Sequence, residues 1–200
     1  MKIVVIDSTG LIESRLVSKL RQLGHEVVAA SPTSGINATT GEGLDEALKG
    51  SEVVVNVANS SAFEENSVEE FFHTSGRMLL VAEKNAGVKN HIGFSVAGND
   101  SLPARGHFVV KMAQENQVKE FNSPRIIRYS IQFFELADAI VKSAAIKERI
   151  QIPGGRVQPV AYDNVVDALA EITIGDPLKI LYISAWMSLA IFLNETNESR

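Results

Sequence analysis

Residues 1–24 read MKIVVIDSTGLIESRLVSKLRQLG, and this stretch decides the fold of the chain. Lys2 to Ile6 is a run rich in β-branched residues, which predicts a buried strand. A short turn follows, and apolar residues then recur at helical spacing until Gly24, which is placed to end a helix. The residues of this apolar stripe are Leu11, Leu16, Val17 and Leu20.

The same alternation of apolar strand and helix continues along the chain. Further strands are predicted at residues 25–30, 51–57, 91–96, 125–131 and 180–183. Helices are predicted at residues 44–48, 67–86, 105–121, 136–146 and from 164 onward. Such alternation is typical of a parallel sheet covered on both faces. We therefore predict an α/β fold with a doubly wound parallel sheet in three α/β/α layers, whose ligands bind at the carboxyl ends of the strands.

The composition fits one globular domain and excludes several classes of function. The chain has 200 residues, of which 45% are hydrophobic and 22% are charged, which is enough for one sizeable core. The net charge of -5 gives no general attraction to nucleic acid. The absence of cysteine excludes disulfides, thiolate metal sites and Cys nucleophiles. Without a signal peptide or an apolar run of about 20 residues, we expect a cytoplasmic protein with no membrane partner.

The turn after the first strand is the candidate phosphate-binding loop. In Rossmann folds this loop uses three glycines, for the tight turn, for close approach of the pyrophosphate and for helix packing. Here the segment is DSTGLIE, residues 7–13. It resembles the GGTGxxG loop of the short-chain dehydrogenase/reductase superfamily and its NmrA-like branch. The glycines of that loop would occupy positions 7, 8, 10 and 13, and only Gly10 is present.

Further segments resemble NmrA-like NAD(P)H-binding proteins in the same order and at matching distances. They are GHEVVAASP (24–32), EVVVNVANS (52–60), AGVKNHIGFSVAG (86–98), GHFVVKMAQE (106–115), IIRYSIQFFE (126–135) and VQPVAYDNVVDALAEI (157–172). The resemblance implies one NAD(P)-binding Rossmann-like domain over residues 1–183, with a small C-terminal substrate lobe within about residues 132–183. The tail at 184–200 matches nothing in the family. Its apolar stretch at 186–193 is a candidate homodimer contact if it is not core.

The resemblance also implies where a dinucleotide would lie. The cofactor would cross the strand ends, touching the first turn and the ends of the second, third and fourth strands. The implied cofactor-binding residues are Ser8, Thr9, Gly10, Leu11, Ile12, Ser31, Ala58, Asn59, Ser95 and Lys111. Ser31 stands where a NAD-preferring enzyme has an acidic residue for the ribose 2′-hydroxyl, so its neutral side chain favours NADP(H) over NAD(H).

Two carboxylates set this loop apart from the family pattern. Asp7 and Glu13 occupy glycine positions beside the expected pyrophosphate, where a like-charge pair about 4 Å apart costs roughly 1 kcal/mol in water and several times more when partly buried. A side chain at position 13 also separates the helix from the strand. We therefore expect weakened cofactor binding. An alternative is that Asp7 caps the first helix and fills the anion site with the protein's own carboxylate.

The candidate catalytic residues also come from the resemblance. Many members of the superfamily carry a Tyr and, four residues later, a Lys on one helical face. The matching pair here is His107 and Lys111, and the i, i+4 spacing keeps both on one side of a helix. Lys111 would hold the ribose, His107 would transfer a proton near neutral pH, and Ser95 matches the superfamily's Ser. The alternatives are a surface His beside a solvated Lys, and a Ser that merely ends a strand.

Three other groups receive structural interpretations. Phe133 and Phe134 are candidates to cover a nicotinamide, but the core is favoured for them. In the family's pattern Asp163 caps a helix, and neither it nor Asp167 is expected to be catalytic. The remaining histidines show no metal-ligand spacing, so no metal site is predicted.

These observations leave three hypotheses for the function. The first is an NAD(P)(H)-binding oxidoreductase that passes hydride between NADP(H) and a small carbonyl or quinone acceptor. The second is a non-catalytic NADP(H) redox sensor with a regulatory protein partner, which the loss of the Tyr favours. The third is a degenerate scaffold that no longer binds dinucleotide, which the missing glycines favour. Fold resemblance alone does not choose among them.

Overall fold

The computed structural model describes residues 1–6, 11–58, 65–96, 115–116, 118–119, 124–129, 133–136, 145–146, 149–150, 156–157, 160–175, 180–183 and 187–188. The strands are β1 (Lys2–Ile6), β2 (Glu26–Ala30), β3 (Val53–Asn56), β4 (Asn90–Val96), β5 (Pro124–Tyr129), β6 (Ala145–Ile146), β7 (Arg149–Ile150), β8 (Arg156–Val157), β9 (Ile180–Ile183) and β10 (Met187–Ser188). The helices are α1 (Leu11–Gln22), α2 (Leu44–Leu48), α3 (Glu65–Ala86) and α4 (Tyr162–Ile174), with 3-10 turns at Pro32–Ser34 and Phe134–Leu136.

Six of these strands form one parallel sheet in the order β2-β1-β3-β4-β5-β9. The order reverses at β1, because the chain passes from β1 to β2 on one side and returns with β3 on the other. In sheets of this kind the ligand crevice lies outside the carboxyl ends of the strands at the reversal. Here that crevice lies between the ends of β1 and β3. The predicted Rossmann-like parallel sheet is confirmed.

Helices cover both faces of the sheet and give the predicted three layers. Side chains of a strand alternate between faces, so Ile3 and Val5 of β1 pack with α1 and α4, whereas Val4 and Ile6 pack with α2 and α3. Each face therefore carries its own apolar cluster; β3 is buried along its whole length, and β1 is buried from Ile3 to Ile6.

The outer edge of β2 is protected by side chains. In the described part of the chain β2 ends the sheet, and an open edge is a template for pairing with another strand. The Arg21 Nη2 donates to the Val27 carbonyl oxygen at 2.8 Å, and the Ser34 hydroxyl donates to the Ala29 carbonyl oxygen at 3.0 Å. These bonds cover two of the carbonyl groups on this strand.

One face of β4 carries buried polar contacts. His91, Gly93 and Ser95 alternate onto this face. The His91 Nδ1 lies 2.8 Å from Glu83 Oε1 and 2.9 Å from Glu83 Oε2 of α3, and both side chains are almost fully buried. A Cβ added at Gly93 would lie 3.0 Å from Cγ2 of Val118. The helical residues 118–119 therefore approach β4 closely because position 93 has no side chain.

The structure corrects the sequence predictions in the C-terminal third. The helix predicted at 136–146 is wrong at both of its described ends. Leu136 closes a 3-10 turn, and Ala145–Ile146 pairs antiparallel with Arg149–Ile150 in a hairpin. The backbone N–H and C=O groups of β6 and β7 bond to each other, and the spacing of apolar residues along the sequence does not reveal such pairing. The predicted tail also takes part in pairing, since β10 lies antiparallel to β8.

Within the described residues, no helix combines the length and the apolar character needed to cross a bilayer.

The buried pair of Glu83 and His91 predicts a large stability effect. Glu83→Ala leaves His91 buried without this carboxylate, so the free energy of unfolding falls by about 3 kcal/mol. The matched control is Glu52→Ala, which breaks the exposed 3.3 Å ion pair with Lys89 and costs less than about 1 kcal/mol. Urea unfolding of both variants measures the difference. Equal losses would contradict the assignment of a structural role to the buried pair.

Candidate functional site

The candidate cofactor site lies at the carboxyl ends of β1 and β3. β1 ends at Ile6 and α1 begins at Leu11, so the N-terminus of α1 meets the same edge of the sheet. The first N–H groups of a helix have no partner within the helix and attract anions. This is the arrangement that receives a dinucleotide phosphate in Rossmann folds. Ser8, Thr9 and Gly10 lie outside the described residues.

Glu13 lies on the side of α1 that faces the sheet. The buried stripe of this helix is Glu13, Leu16, Val17 and Leu20, which is the i, i+3, i+4, i+7 pattern of one helical face. Glu13 is only 8% exposed. Helical side chains lean toward the helix N-terminus. Glu13 is therefore a buried residue on the sheet-facing side of the first turn of α1, at a position where the resemblance implied a glycine. Ile12, another predicted contact, packs against the core cluster of this face.

Ser31 follows β2 and begins a compact turn rich in hydroxyl groups. The Ser31 N–H donates to the Ser34 hydroxyl oxygen at 2.9 Å, and the hydroxyls of Ser31 and Thr33 lie 2.9 Å apart. Gly35 closes the turn at φ +76°, a conformation that favours glycine. The end of β2 thus presents the neutral hydroxyl groups of Ser31, Thr33 and Ser34.

The end of β3 is shaped by a residue that the sequence reasoning missed. The Asn56 Oδ1 accepts the Ala58 N–H at 3.1 Å, and both residues are buried. This turn fixes the course of the chain at Ala58, one of the predicted contacts. Asn59 lies outside the described residues. The sequence feature that could have indicated this turn is the single Asn at the last position of an otherwise apolar strand.

Ser95 is held by a buried carboxylate. Its hydroxyl donates to Oε1 of Glu115 at 2.6 Å, and both residues are 2% exposed. His107 and Lys111 lie outside the described residues, so their predicted roles stay predictions. Glu115 was not predicted, although it follows Lys111 by four positions on the predicted helix.

The N-terminus of α4 is capped from a distant part of the chain. The Tyr162 N–H donates to Oε1 of Glu135 at 2.9 Å. The prediction that Asp163 caps this helix is wrong, because the helix begins at Tyr162 and its N-cap is Ala161. Asp163 instead pairs with Arg15 of α1 at 2.6 Å. A second exposed pair between the same two helices joins Lys19 to Asp167 at 2.9 Å.

Phe133 belongs to the core, as favoured from the sequence. It is 7% exposed, and its ring centroid lies 4.2 Å from that of Tyr162. The guanidinium carbon of Arg15 lies 5.7 Å from the Tyr162 centroid, within cation–π range. Burial raises the pKa of the Tyr162 phenol, the Glu135 carboxylate raises it further, and the Arg15 charge lowers it. Phe134 is only partly buried.

In the described ranges, no group of three or more potential ligands is placed to hold a metal ion.

Comparisons with known proteins agree with this architecture. No family model and no curated protein matches the chain. The Thermus thermophilus UDP-glucose 4-epimerase in complex with NAD matches at a TM-score of 0.74 and 17% identity, over 100% of this chain and 83% of the epimerase. The Thermotoga maritima UDP-glucose 4-epimerase with UDP-glucose matches at 0.76 and 16%, over 99% and 82%.

A short-chain dehydrogenase/reductase superfamily protein from Agrobacterium tumefaciens, solved with bound NAD, matches at a TM-score of 0.75 and 16% identity, over 98% of this chain and 81% of that protein. Identities this low establish the shared fold and leave the chemistry to the residues of the site.

The surroundings of Tyr162 predict two opposite pKa changes. Glu135→Gln removes a charge that raises the pKa of Tyr162, so this pKa falls, whereas Arg15→Gln makes it rise. Tyrosinate absorbance against pH measures both, with Tyr162→Phe identifying the signal.

Because the folded pKa lies above the usual value of about 10, the phenol contributes stability below about pH 10 that is lost as pH rises through the folded pKa. The Tyr162→Phe variant should not show this loss of stability at high pH. A rise of the pKa in Glu135→Gln would contradict the assigned causes.

Proposed function

We propose that the chain is an NmrA-like protein that binds a nicotinamide dinucleotide, with NADP(H) preferred over NAD(H). The observation that carries the proposal is the N-terminus of α1 at the strand-order reversal of a parallel sheet. The hydroxyl-rich turn at Ser31 supports the preference, since a 2′-phosphate meets no carboxylate there. Two of the three matched structures described above contain NAD, which supports a dinucleotide at this edge. The protein is proposed to act in the cytoplasm.

The proposed reaction is the passage of hydride between NADP(H) and a small carbonyl or quinone acceptor. The cofactor would supply or accept the hydride. Lys111 would hold the ribose hydroxyls. His107 would donate a proton to the acceptor oxygen when hydride is added, or accept it in the reverse direction. The contact of Ser95 with Glu115 gives Ser95 a positioning role between β4 and the residues around 115.

One observation favours the second candidate function, a redox sensor without turnover. A serine hydroxyl has one proton, and Ser95 donates it to Glu115. Ser95 is also 2% exposed. A hydroxyl in this state does not donate to a substrate carbonyl oxygen. Dinucleotide binding would then change the affinity for a regulatory protein partner.

Titration of the purified chain with NADPH and NADH, followed by nicotinamide fluorescence, tests the proposal. We expect tighter binding of NADPH, and consumption of NADPH with quinones if the chain is an enzyme. Binding without turnover supports the sensor. If the original chain does not bind dinucleotide but the variant with both Asp7→Gly and Glu13→Gly does, function was lost at the phosphate loop. Failure of both proteins contradicts the proposal.

The cofactor preference is tested at Ser31. In Ser31→Asp the new carboxylate repels a 2′-phosphate, so the affinity for NADPH falls by about tenfold, or roughly 1.4 kcal/mol, while NADH binding is kept. The charge-matched control is Ser18→Asp, on the exposed side of α1, which should leave both affinities unchanged. Equal losses for NADPH and NADH in Ser31→Asp would refute the assignment of Ser31 to the 2′ position.

A further inference from the structure

The outer surfaces of α1 and α4 carry opposite charges. Every charged residue of α4 is acidic, and every charged residue of α1 is basic except the buried Glu13. The residues of the outer surfaces are Arg15, Lys19 and Arg21 on α1, and Asp163, Asp167 and Glu171 on α4. Both helices pack on the same face of the sheet, so a basic helix lies beside an acidic one.

Two ion pairs show that these helices run parallel to each other at the surface. Arg15 Nη1 lies 2.6 Å from Oδ1 of Asp163, and Lys19 Nζ lies 2.9 Å from Oδ1 of Asp167. The second pair lies four residues beyond the first on both helices, which is about one helical turn. The four side chains are between 42% and 81% exposed. Guanidinium, ammonium and carboxylate groups each have several hydrogen-bonding positions, so each of these groups can bind a second partner.

A partner that fits this surface must carry both signs of charge. The two cations and two anions have no net charge together, so a uniformly basic or acidic partner loses at one helix what it gains at the other. A second copy of the chain supplies both signs. With a two-fold axis parallel to the helices, α1 of each copy lies over α4 of the other. A two-fold axis across the helices would instead place α1 over α1, where like charges repel.

We propose that a second copy of this chain docks on the surface formed by α1 and α4, about a two-fold axis parallel to these helices. Arg15 and Lys19 of each copy then contact Asp163 and Asp167 of the other. The groove between the helices is lined almost entirely by polar and charged side chains, so ion pairs and water, rather than apolar burial, hold the copies together. This dimer does not depend on dinucleotide binding.

The size of the surface sets the expected affinity. Each helix is about 18 Å long and about 10 Å wide, so the two together offer roughly 400 Å² per copy. Stable interfaces bury about 800 Å² per partner. We therefore expect a weak dimer, with a Kd on the order of tens of micromolar.

Sedimentation equilibrium of the intact chain, from about 1 µM to about 200 µM, tests the proposal. The chain should dimerise at about 20 mM salt, and the Kd should rise at least about tenfold at about 0.5 M salt because exposed ion pairs are screened. A chain that stays monomeric over the whole range at low salt overturns the proposal. A dimer whose Kd does not change with salt overturns it as well.

Charge reversal locates the interface. One variant carries Arg15→Glu plus Lys19→Glu, and the other carries Asp163→Lys plus Asp167→Lys. Each alone should dimerise at least about tenfold more weakly than the original chain, because α1 and α4 then have the same sign. An equimolar mixture of the two should dimerise like the original chain, since every contact between the copies is again between opposite charges. Original affinity in either variant alone, or a mixture that stays monomeric, overturns the proposal.

The variant with all four changes restores the ion pairs within the chain and covers a failure of either double variant to fold, which circular dichroism detects. It should dimerise with itself but not with the original chain, because α1 of one then lies over α4 of the other with the same sign of charge. Native mass spectrometry separates the mixed dimer from the two homodimers by mass. Mixed dimers as abundant as the homodimers overturn the proposal.

The control for net charge is Lys84→Glu plus Lys89→Glu. It changes the net charge as much as Arg15→Glu plus Lys19→Glu does, at exposed positions in and after the last turn of α3. It should dimerise with the original affinity. A loss of dimerisation equal to that of Arg15→Glu plus Lys19→Glu would show that net charge governs association, and would overturn the assignment to α1 and α4.

Discussion

The packing of α1 against β1 and β3 sets the geometry of the whole carboxyl edge. Leu16, Val17 and Leu20 are at most 5% exposed, and burial of such a side chain stabilises the fold by about 2 kcal/mol. A rotation of the helix by one residue, about 100°, would expose this stripe. Position 13 therefore faces the sheet because the apolar residues behind it require that orientation. A glycine there would leave room for a phosphate, and this chain has a carboxylate.

Around β4, on the β3 side of the strand-order reversal, the interior depends on paired polar groups. Glu83 with His91 and Glu115 with Ser95 place two buried carboxylates against one face of β4. Buried pairs of this kind add little net stability, but the loss of one partner is costly. They therefore specify how α3 and the helical residues near 115 meet the strand. The absence of a side chain at Gly93 permits the close approach.

Local pattern was enough for the described strands and helices from β1 to β5, and for β9. Residues 44–48 and 180–183 were predicted with the bounds that the structure shows, because apolar runs and glycine stops are local signals. The hairpin of β6 and β7 was missed because its pairing is not visible in apolar periodicity. In the site, Ser31 and Ala58 lie at strand ends as predicted. The partners Glu115 and Glu135 were not predicted, since they lie 20 and 27 residues from the groups they bond.

A crystal structure of Glu13→Gln with NADP⁺ tests the central claim most directly, because it shows where the phosphates lie. We expect the diphosphate to lie against the first turn of α1, between the ends of β1 and β3, with the adenosine ribose beside Ser31. A dinucleotide bound away from the first turn of α1, or none bound in crystals grown at saturating NADP⁺, would contradict the claim that the N-terminus of α1 at the strand-order reversal receives the dinucleotide phosphates.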